Sequence, residues 1–168
     1  MKGKVFGVLQ RVGRSFMPAT QILYSPMNGE VLPLEKVEDE VFATGVLGDG
    51  IAVEPTEGKL FAPCSGTVEN VAETGHAVSL RSDNGCEILL HIGIDTVKLN
   101  GKYFDVKIKD GQKVRKGDLL VVFDPDKIKD AGYQTTSPMT VLNSDHYRKV
   151  TKSDAAKITA GEKILEIE

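Results

Sequence analysis

Two stretches of the chain repeat one another. Residues 25–32 read S-P-M-N-G-E-V-L and residues 62–69 read A-P-C-S-G-T-V-E, so proline, glycine and valine recur at equal offsets. A weaker pair follows, G-D-L-L-V-V-F-D at 117–124 and G-E-K-I-L-E-I-E at 161–168. Proline fixes φ and lacks an N–H, and glycine opens backbone conformations closed to other residues, so Pro-x-x-Gly marks a corner. Corners that recur together with G-x-x-V-x-x-G-(D/E) bends predict two similar β units packed together. The 17 glycines and 7 prolines of the 168 residues fit that picture, as do β-branched residues in short blocks. Many short strands with tight turns imply a sandwich or a barrel. Helix signals are few: one or two turns each over Leu34–Val41, Asp124–Ala131 and Ser144–Arg148. The second opens D-P-D-K-I-K, with aspartate at a cap and proline at the first helical position.

The totals narrow the class. An apolar content of 40% in 168 residues suffices for one domain with its own core. A net charge of −3 gives no electrostatic case for nucleic acid as a partner. Cys64 and Cys86 lack metal-type CxxC spacing and read as reduced thiols rather than a disulfide. No apolar run approaches the ~18 residues of a membrane span, and the N-terminus lacks a signal-peptide core, so a cytoplasmic protein is expected. Residues 1–20 stand apart from a domain over 21–168. They carry Lys2, Lys4, Arg11 and Arg14 without an acid, and Val5, Leu9, Val12 and Phe16 recur at helical spacing. They read as a flexible basic tail weakened by Gly3, Gly7 and Gly13, or as an amphipathic helix making peripheral membrane contact. D-G-Q-K-V-R-K-G-D (110–118) reads as a hairpin bend with its charges in water.

The chemistry concentrates in residues 87–101, E-I-L-L-H-I-G-I-D-T-V-K-L-N-G. His91 follows three apolar residues, and Ile92, Ile94 and Val97 extend the β-branched content, which predicts a buried strand. An unpartnered polar group there costs a few kcal/mol, so the imidazole needs a reason. His76 sits earlier in V-A-E-T-G-H-A-V-S-L, and S-D-N-G between the two is a turn signal. The resulting hairpin can bring His76 and His91 together. Such a pair suits phosphoryl transfer: one neutral ring attacks while the other hydrogen-bonds the oxygens. The attacking ring must hold its other nitrogen as N–H, and Gly93 offers a backbone carbonyl two residues on. Thr74, on the same face as His76 if both lie on a strand, can orient it or touch the phosphate. His146, in N-S-D-H-Y-R-K, reads as a solvated loop residue.

The block H-I-G-I-D-T-V-K-L-N-G closely resembles the IIA domain, glucose type, of the bacterial phosphoenolpyruvate-dependent sugar phosphotransferase system. T-G-H-A upstream, M-N-G-E and G-D-G-I-A-V-E-P add to the resemblance, which runs from about Ser25 to Glu168. It implies a compact antiparallel β-sandwich, the duplicated hybrid motif. It implies a transferase component acting in a relay, with no small-molecule turnover of its own and no cofactor. In that family the counterpart of His91 is phosphorylated by the histidine phosphocarrier protein and passes the group to a IIB domain that feeds the sugar permease. The counterpart of His76 assists, and that of Thr74 belongs to the same site. An apolar docking ring carries over to Val41, Phe42, Val46, Leu47, Leu89 and Val97, with Asp39 and Asp95 at its rim. Ala72 departs from relatives with an aromatic there. Some members regulate other proteins, or share a zinc ion with a partner through the paired histidines.

Two other classes fit parts of the pattern. Biotinyl and lipoyl modules share the P-x-x-G-x-V corner but need a lysine at a hairpin tip, as in M-K-M, which this chain lacks. A zinc-dependent β-sandwich hydrolase needs a further ligand, as in H-x-H, and none is found.

Overall fold

The computed structural model describes residues 20–168, so the question of the basic tail lies outside the described residues. The strands in chain order are β1 (Gln21–Tyr24), β2 (Gly29–Pro33), β3 (Asp49–Pro55), β4 (Lys59–Phe61), β5 (Gly66–Val71), β6 (Ala77–Ser82) and β7 (Glu87–His91). Then come β8 (Phe104–Val106), β9 (Lys113–Val114), β10 (Leu119–Phe123), β11 (Ser137–Val141), β12 (Val150–Lys152), β13 (Lys157–Ile158) and β14 (Lys163–Ile167). Two short helices, α1 (Glu40–Ala43) and α2 (Pro125–Asp130), and 3-10 turns at Leu34–Lys36, Thr96–Leu99 and Ser144–His146 interrupt them. The Asp124 carboxylate accepts the Lys127 N–H and Pro125 opens α2, the arrangement that D-P-D-K predicts.

An eight-stranded antiparallel sheet runs β13-β2-β3-β11-β7-β6-β5-β9, and two three-stranded sheets run β1-β14-β12 and β4-β10-β8. The inner face of the large sheet (Ile51, Val53, Val68, Val78, Leu80, Ile88, Leu90, Met139, Val141) shares one core with Leu23, Leu60, Leu120, Leu165 and Ile167 of the small ones. This is the mostly-β sandwich expected from the sequence.

The repeat is visible bond by bond. Tyr24 N–H donates to the Pro63 carbonyl while Phe61 N–H donates to that of Pro26, a reciprocal pair at the two Pro-x-x-Gly corners. Ser25 N–H donates to Glu162 O, as Ala62 N–H does to Asp118 O. Gly161 and Gly117 return N–H bonds to Ser25 O and Ala62 O. Gly29 pairs with Ile158 as Gly66 pairs with Val114. Each corner walls a surface cleft, of 420 Å³ at Asn28, Gly29, Lys157 and Glu162 and of 650 Å³ at Ser65, Gly66, Lys113 and Asp118. Neither is lined by His76 or His91.

The backbone departs from three sequence expectations. Residues 110–118 do not form a hairpin: β9 pairs with β5 in the large sheet, while β10 lies between β4 and β8. The bend carries the chain between layers, with Asp110 accepting the Val71 N–H and Asp118 that of Arg115, and its cations stay exposed. The His91 strand ends at His91, because Gly93 (φ +73°) and Asp95 (φ +59°) turn the backbone left-handed. Thr74 and His76 lie in a turn that ends where β6 begins, closed by Gly75 N–H to Ala72 O, rather than on a strand.

Both cysteines are free and buried. Burial pushes each thiol up to about 12, which leaves them protonated and unreactive near neutral pH. Among the described residues no helix is long and apolar enough to cross a membrane. A Cβ at Gly29 would stand 2.1 Å from Glu54 O, and one at Gly66 would stand 2.1 Å from Arg81 O. Gly29→Ala and Gly66→Ala are therefore each expected to destabilise the protein by about 1–3 kcal/mol or more, read as a fall in the urea midpoint.

Candidate functional site

The S-D-N-G turn folds β6 back on β7. Gly85 N–H donates to Ser82 O, and the Ser82 hydroxyl accepts from Cys86 N–H. In that hairpin Ala77 pairs with His91, so His76 comes to rest beside it. Ile92 N–H extends the ladder by donating to His76 O at 2.7 Å. The ring centroids are 4.9 Å apart with planes at 78°. Phe42 approaches His91 from another side, centroid to centroid 5.1 Å.

The hydrogen bonds fix the tautomer of His91 and favour one for His76. Nδ1 of His91 lies 2.7 Å from Gly93 O, and a carbonyl can only accept. Nδ1 therefore carries the proton and Nε2 keeps its lone pair. Nδ1 of His76 lies 2.7 Å from the Thr74 hydroxyl. When that hydroxyl donates, Nε2 of His76 is the N–H. Burial lowers the His91 pKa, against the opposing pull of the Gly93 bond and of the Asp39 and Asp95 carboxylates. Burial, then the neighbouring His91, lowers His76 to about 4. Both rings are neutral near pH 7.

Only glycine fits at position 93. Its φ is +73°, and a Cβ would meet Thr96 Cγ2 at 2.6 Å and Gln134 O at 2.7 Å. Its surroundings escaped sequence reasoning. Gly93 N–H donates to the Ser137 hydroxyl at 3.2 Å, Ile94 N–H to Gln134 O at 3.0 Å, and the buried Thr96 hydroxyl to Ile92 O at 2.5 Å. No local pattern announces a serine 44 residues away in sequence as a partner of the loop.

The apolar residues expected around the histidines sort into two groups. Val46, Val97 and Val41 are 72%, 49% and 46% exposed, as a docking surface requires. Phe42 is buried, contrary to its expected place on that surface: it packs with Leu34, Val37, Ala52 and Ile94 beneath it. Leu47 and Leu89 are half-buried against the same cluster. Asp39 caps α1, its Oδ1 accepting from Val41 and Phe42 N–H, while Asp95 is exposed. His146 ends an exposed 3-10 turn, as expected, and Ala72 is half-buried in the turn before His76.

Among the described residues no group of three or more His, Cys, Asp and Glu side chains is arranged to hold a metal ion. His76 and His91 could contribute two ligands, one short of the three that a catalytic zinc centre draws from its own chain.

A β-sandwich presenting two neutral, edge-on imidazoles, one with its Nε2 lone pair kept free, has the form of a histidine-based group carrier. The family model described as phosphoenolpyruvate-dependent sugar phosphotransferase system, EIIA 1, matches residues 21–147, and the chain belongs to this family. A glucose-specific EIIA component of Staphylococcus epidermidis is 37% identical over 159 residues, covering 95% of this chain and 93% of that protein. A β-glucoside-specific EIIBCA component of Bacillus subtilis is 46% identical over 145 residues, 86% of this chain. The chain spans only 22–24% of the length of the EIIBCA relatives it matches. The solved glucose permease IIA from Mycoplasma capricolum superposes with a TM-score of 0.82 at 31% identity, covering 88% of this chain and 96% of that one.

Because both histidines titrate lower in the folded protein than the ~6.5 of an unfolded chain, the unfolded state takes up protons first as pH falls. The stability they contribute is complete above pH ~6.5 and is lost toward about 4, where His76 titrates. Urea midpoints at pH 7.5 and 4.5 should differ more for the wild type than for His76→Gln.

Proposed function

We propose that this chain carries phosphoryl groups in a sugar uptake relay. His91 Nε2 takes the group from a histidine phosphocarrier protein and passes it to a IIB domain. The observation that supports this best is the 2.7 Å bond from His91 Nδ1 to Gly93 O, which assigns the lone pair to Nε2 beside His76. In the forward step that lone pair forms a new N–P bond while the N–P bond of the donor histidine breaks. The electron pair returns to the donor ring, and no proton need move. A loose phosphoryl transition state spreads charge over its equatorial oxygens. An N–H from His76, held in that tautomer by Thr74, would bind one of them. Transfer to the IIB domain repeats the exchange outward, with the group covalently held on His91 and no cofactor required.

The surface around the histidines suits two partners in turn. Val41, Val46 and Val97 would exclude water from the phosphoryl group, while a modest area lets each partner leave. The EIIBCA names of several relatives support a IIB acceptor, and their glucose- and β-glucoside-specific names support a sugar as the final substrate.

Labelling with phosphoenolpyruvate, enzyme I and the histidine phosphocarrier tests the reading. The expected product is an acid-labile, base-stable phosphate on the His91 peptide. His91→Gln should take no label, and a labelled His91→Gln protein would overturn the assignment. His76→Gln should still accept phosphate but pass it on about 10²-fold more slowly, the loss of one positioned proton donor. Val46→Asp should raise KM for donor and acceptor alike and leave thermal stability unchanged, because the side chain it replaces is 72% exposed.

A further inference from the structure

The bond that fixes His91 depends on where the Gly93 carbonyl points, and glycine alone does not fix that. In a trans peptide the N–H and C=O lie in one plane and point opposite ways. The Gly93 carbonyl shares its plane with Ile94 N–H, which donates to Gln134 O at 3.0 Å. The preceding plane is held by Gly93 N–H, which donates to Ser137 Oγ at 3.2 Å. The Ser137 hydroxyl in turn donates to Thr135 O at 2.8 Å, so its oxygen keeps a lone pair toward Gly93. Both planes that meet at Gly93 thus hang from residues 134–137, the segment that opens β11. That segment is anchored at its far side: the Thr135 and Thr136 hydroxyls donate to the Glu54 carboxylate, the second at 2.7 Å. Gln134 Nε2 donates to Glu38 Oε1 at 2.7 Å. Ser137 is 4% exposed and Thr135 1%, so water offers no substitute partner.

We infer that Ser137 is a positioning residue for phosphoryl transfer: it holds the Gly93 backbone so that the carbonyl keeps the His91 proton on Nδ1 and leaves Nε2 nucleophilic. This rests on the relay reading for its role in transfer, whereas the tautomer is testable without it. Without the hydroxyl, one of the two planes that meet at Gly93 is released and only the Ile94 bond still holds the carbonyl, so the soft glycine backbone lets it turn part of the time. His91 then populates the other tautomer, whose Nε2 carries a proton and cannot attack.

Long-range ¹H–¹⁵N spectra of the imidazoles at pH 8 distinguish the tautomers directly. The wild-type protein should show His91 Nε2 as the unprotonated nitrogen. Ser137→Ala should show a mixture, and kcat for phosphorylation should fall about fivefold to tenfold, the weight of one hydrogen bond, with KM unchanged. Ser137→Thr keeps the hydroxyl and should restore both. An unchanged tautomer in Ser137→Ala overturns the inference whatever the rate does, and so does a shifted tautomer with an unchanged rate. If Ser137→Ala does not fold, Ser137→Cys keeps the volume with a weaker hydrogen-bonding group, and a wild-type tautomer there is equally fatal. A wild-type protein that takes no phosphate would sink the relay reading instead, and the tautomer comparison would then decide the positioning claim by itself.

Discussion

One 2.7 Å hydrogen bond, from His91 Nδ1 to the carbonyl of Gly93, decides what this surface can do. An imidazole has two equivalent-looking nitrogens, and a nucleophile requires that one be committed as a donor so that the other is not. The commitment comes from backbone, which cannot change protonation state, and it is made two residues from the ring. The strand must therefore stop at once. Gly93 and Asp95, both left-handed, end β7 and fold the chain under the histidine. The same break exposes Val97 and releases the 3-10 turn that follows.

The two faces of the large sheet divide the work. Val31, Val53, Ile88 and Leu90 face the sandwich core, where burial of apolar area supplies most of the stability. Leu32, Ala52, Leu89 and His91 belong to the opposite face, which a sandwich would ordinarily leave to water. The excursion between β2 and β3 covers part of it: Leu34, Val37 and Phe42 form a second, smaller cluster with Ala52 and Ile94. Phe42 of that cluster packs against the His91 ring, so the half-buried imidazole stands on an apolar floor. That floor explains why burial is the largest influence on His91 and why the nearby carboxylates only moderate it.

Features set by neighbours in sequence were legible before the structure. The S-D-N-G turn, the D-P cap of α2, the Pro-x-x-Gly corners and the His91–Gly93 contact all link residues a few positions apart. The duplication was legible because Pro26/Pro63 and Gly29/Gly66 serve the same bonds in both halves. What escaped depends on distant partners. Phe42 looks like a surface residue until the cluster over Ala52 is assembled, and Ser137 looks like any strand serine until Gly93 arrives from the turn after β7. Residues 110–118 misled for a related reason: a bend between charged residues looks the same whether the next strand returns to its neighbour or crosses to the other sheet.

The internal symmetry also assigns His91 a counterpart. Gly29 pairs with Pro55 as Gly66 pairs with Ser82; five positions back along each strand, Gly50 in β3 corresponds to Ala77 in β6. Gly50 pairs with Thr140, and Ala77 with His91. Thr140 thus occupies in one half the place that the imidazole occupies in the other. It is fully buried beside Leu89, and its hydroxyl is a buried side-chain atom without a partner among the described residues. A twofold scaffold has been made monovalent, with one position open and its twin sealed. A molecule so built offers a single port, so in the proposed relay the protein that delivers and the protein that receives would take turns.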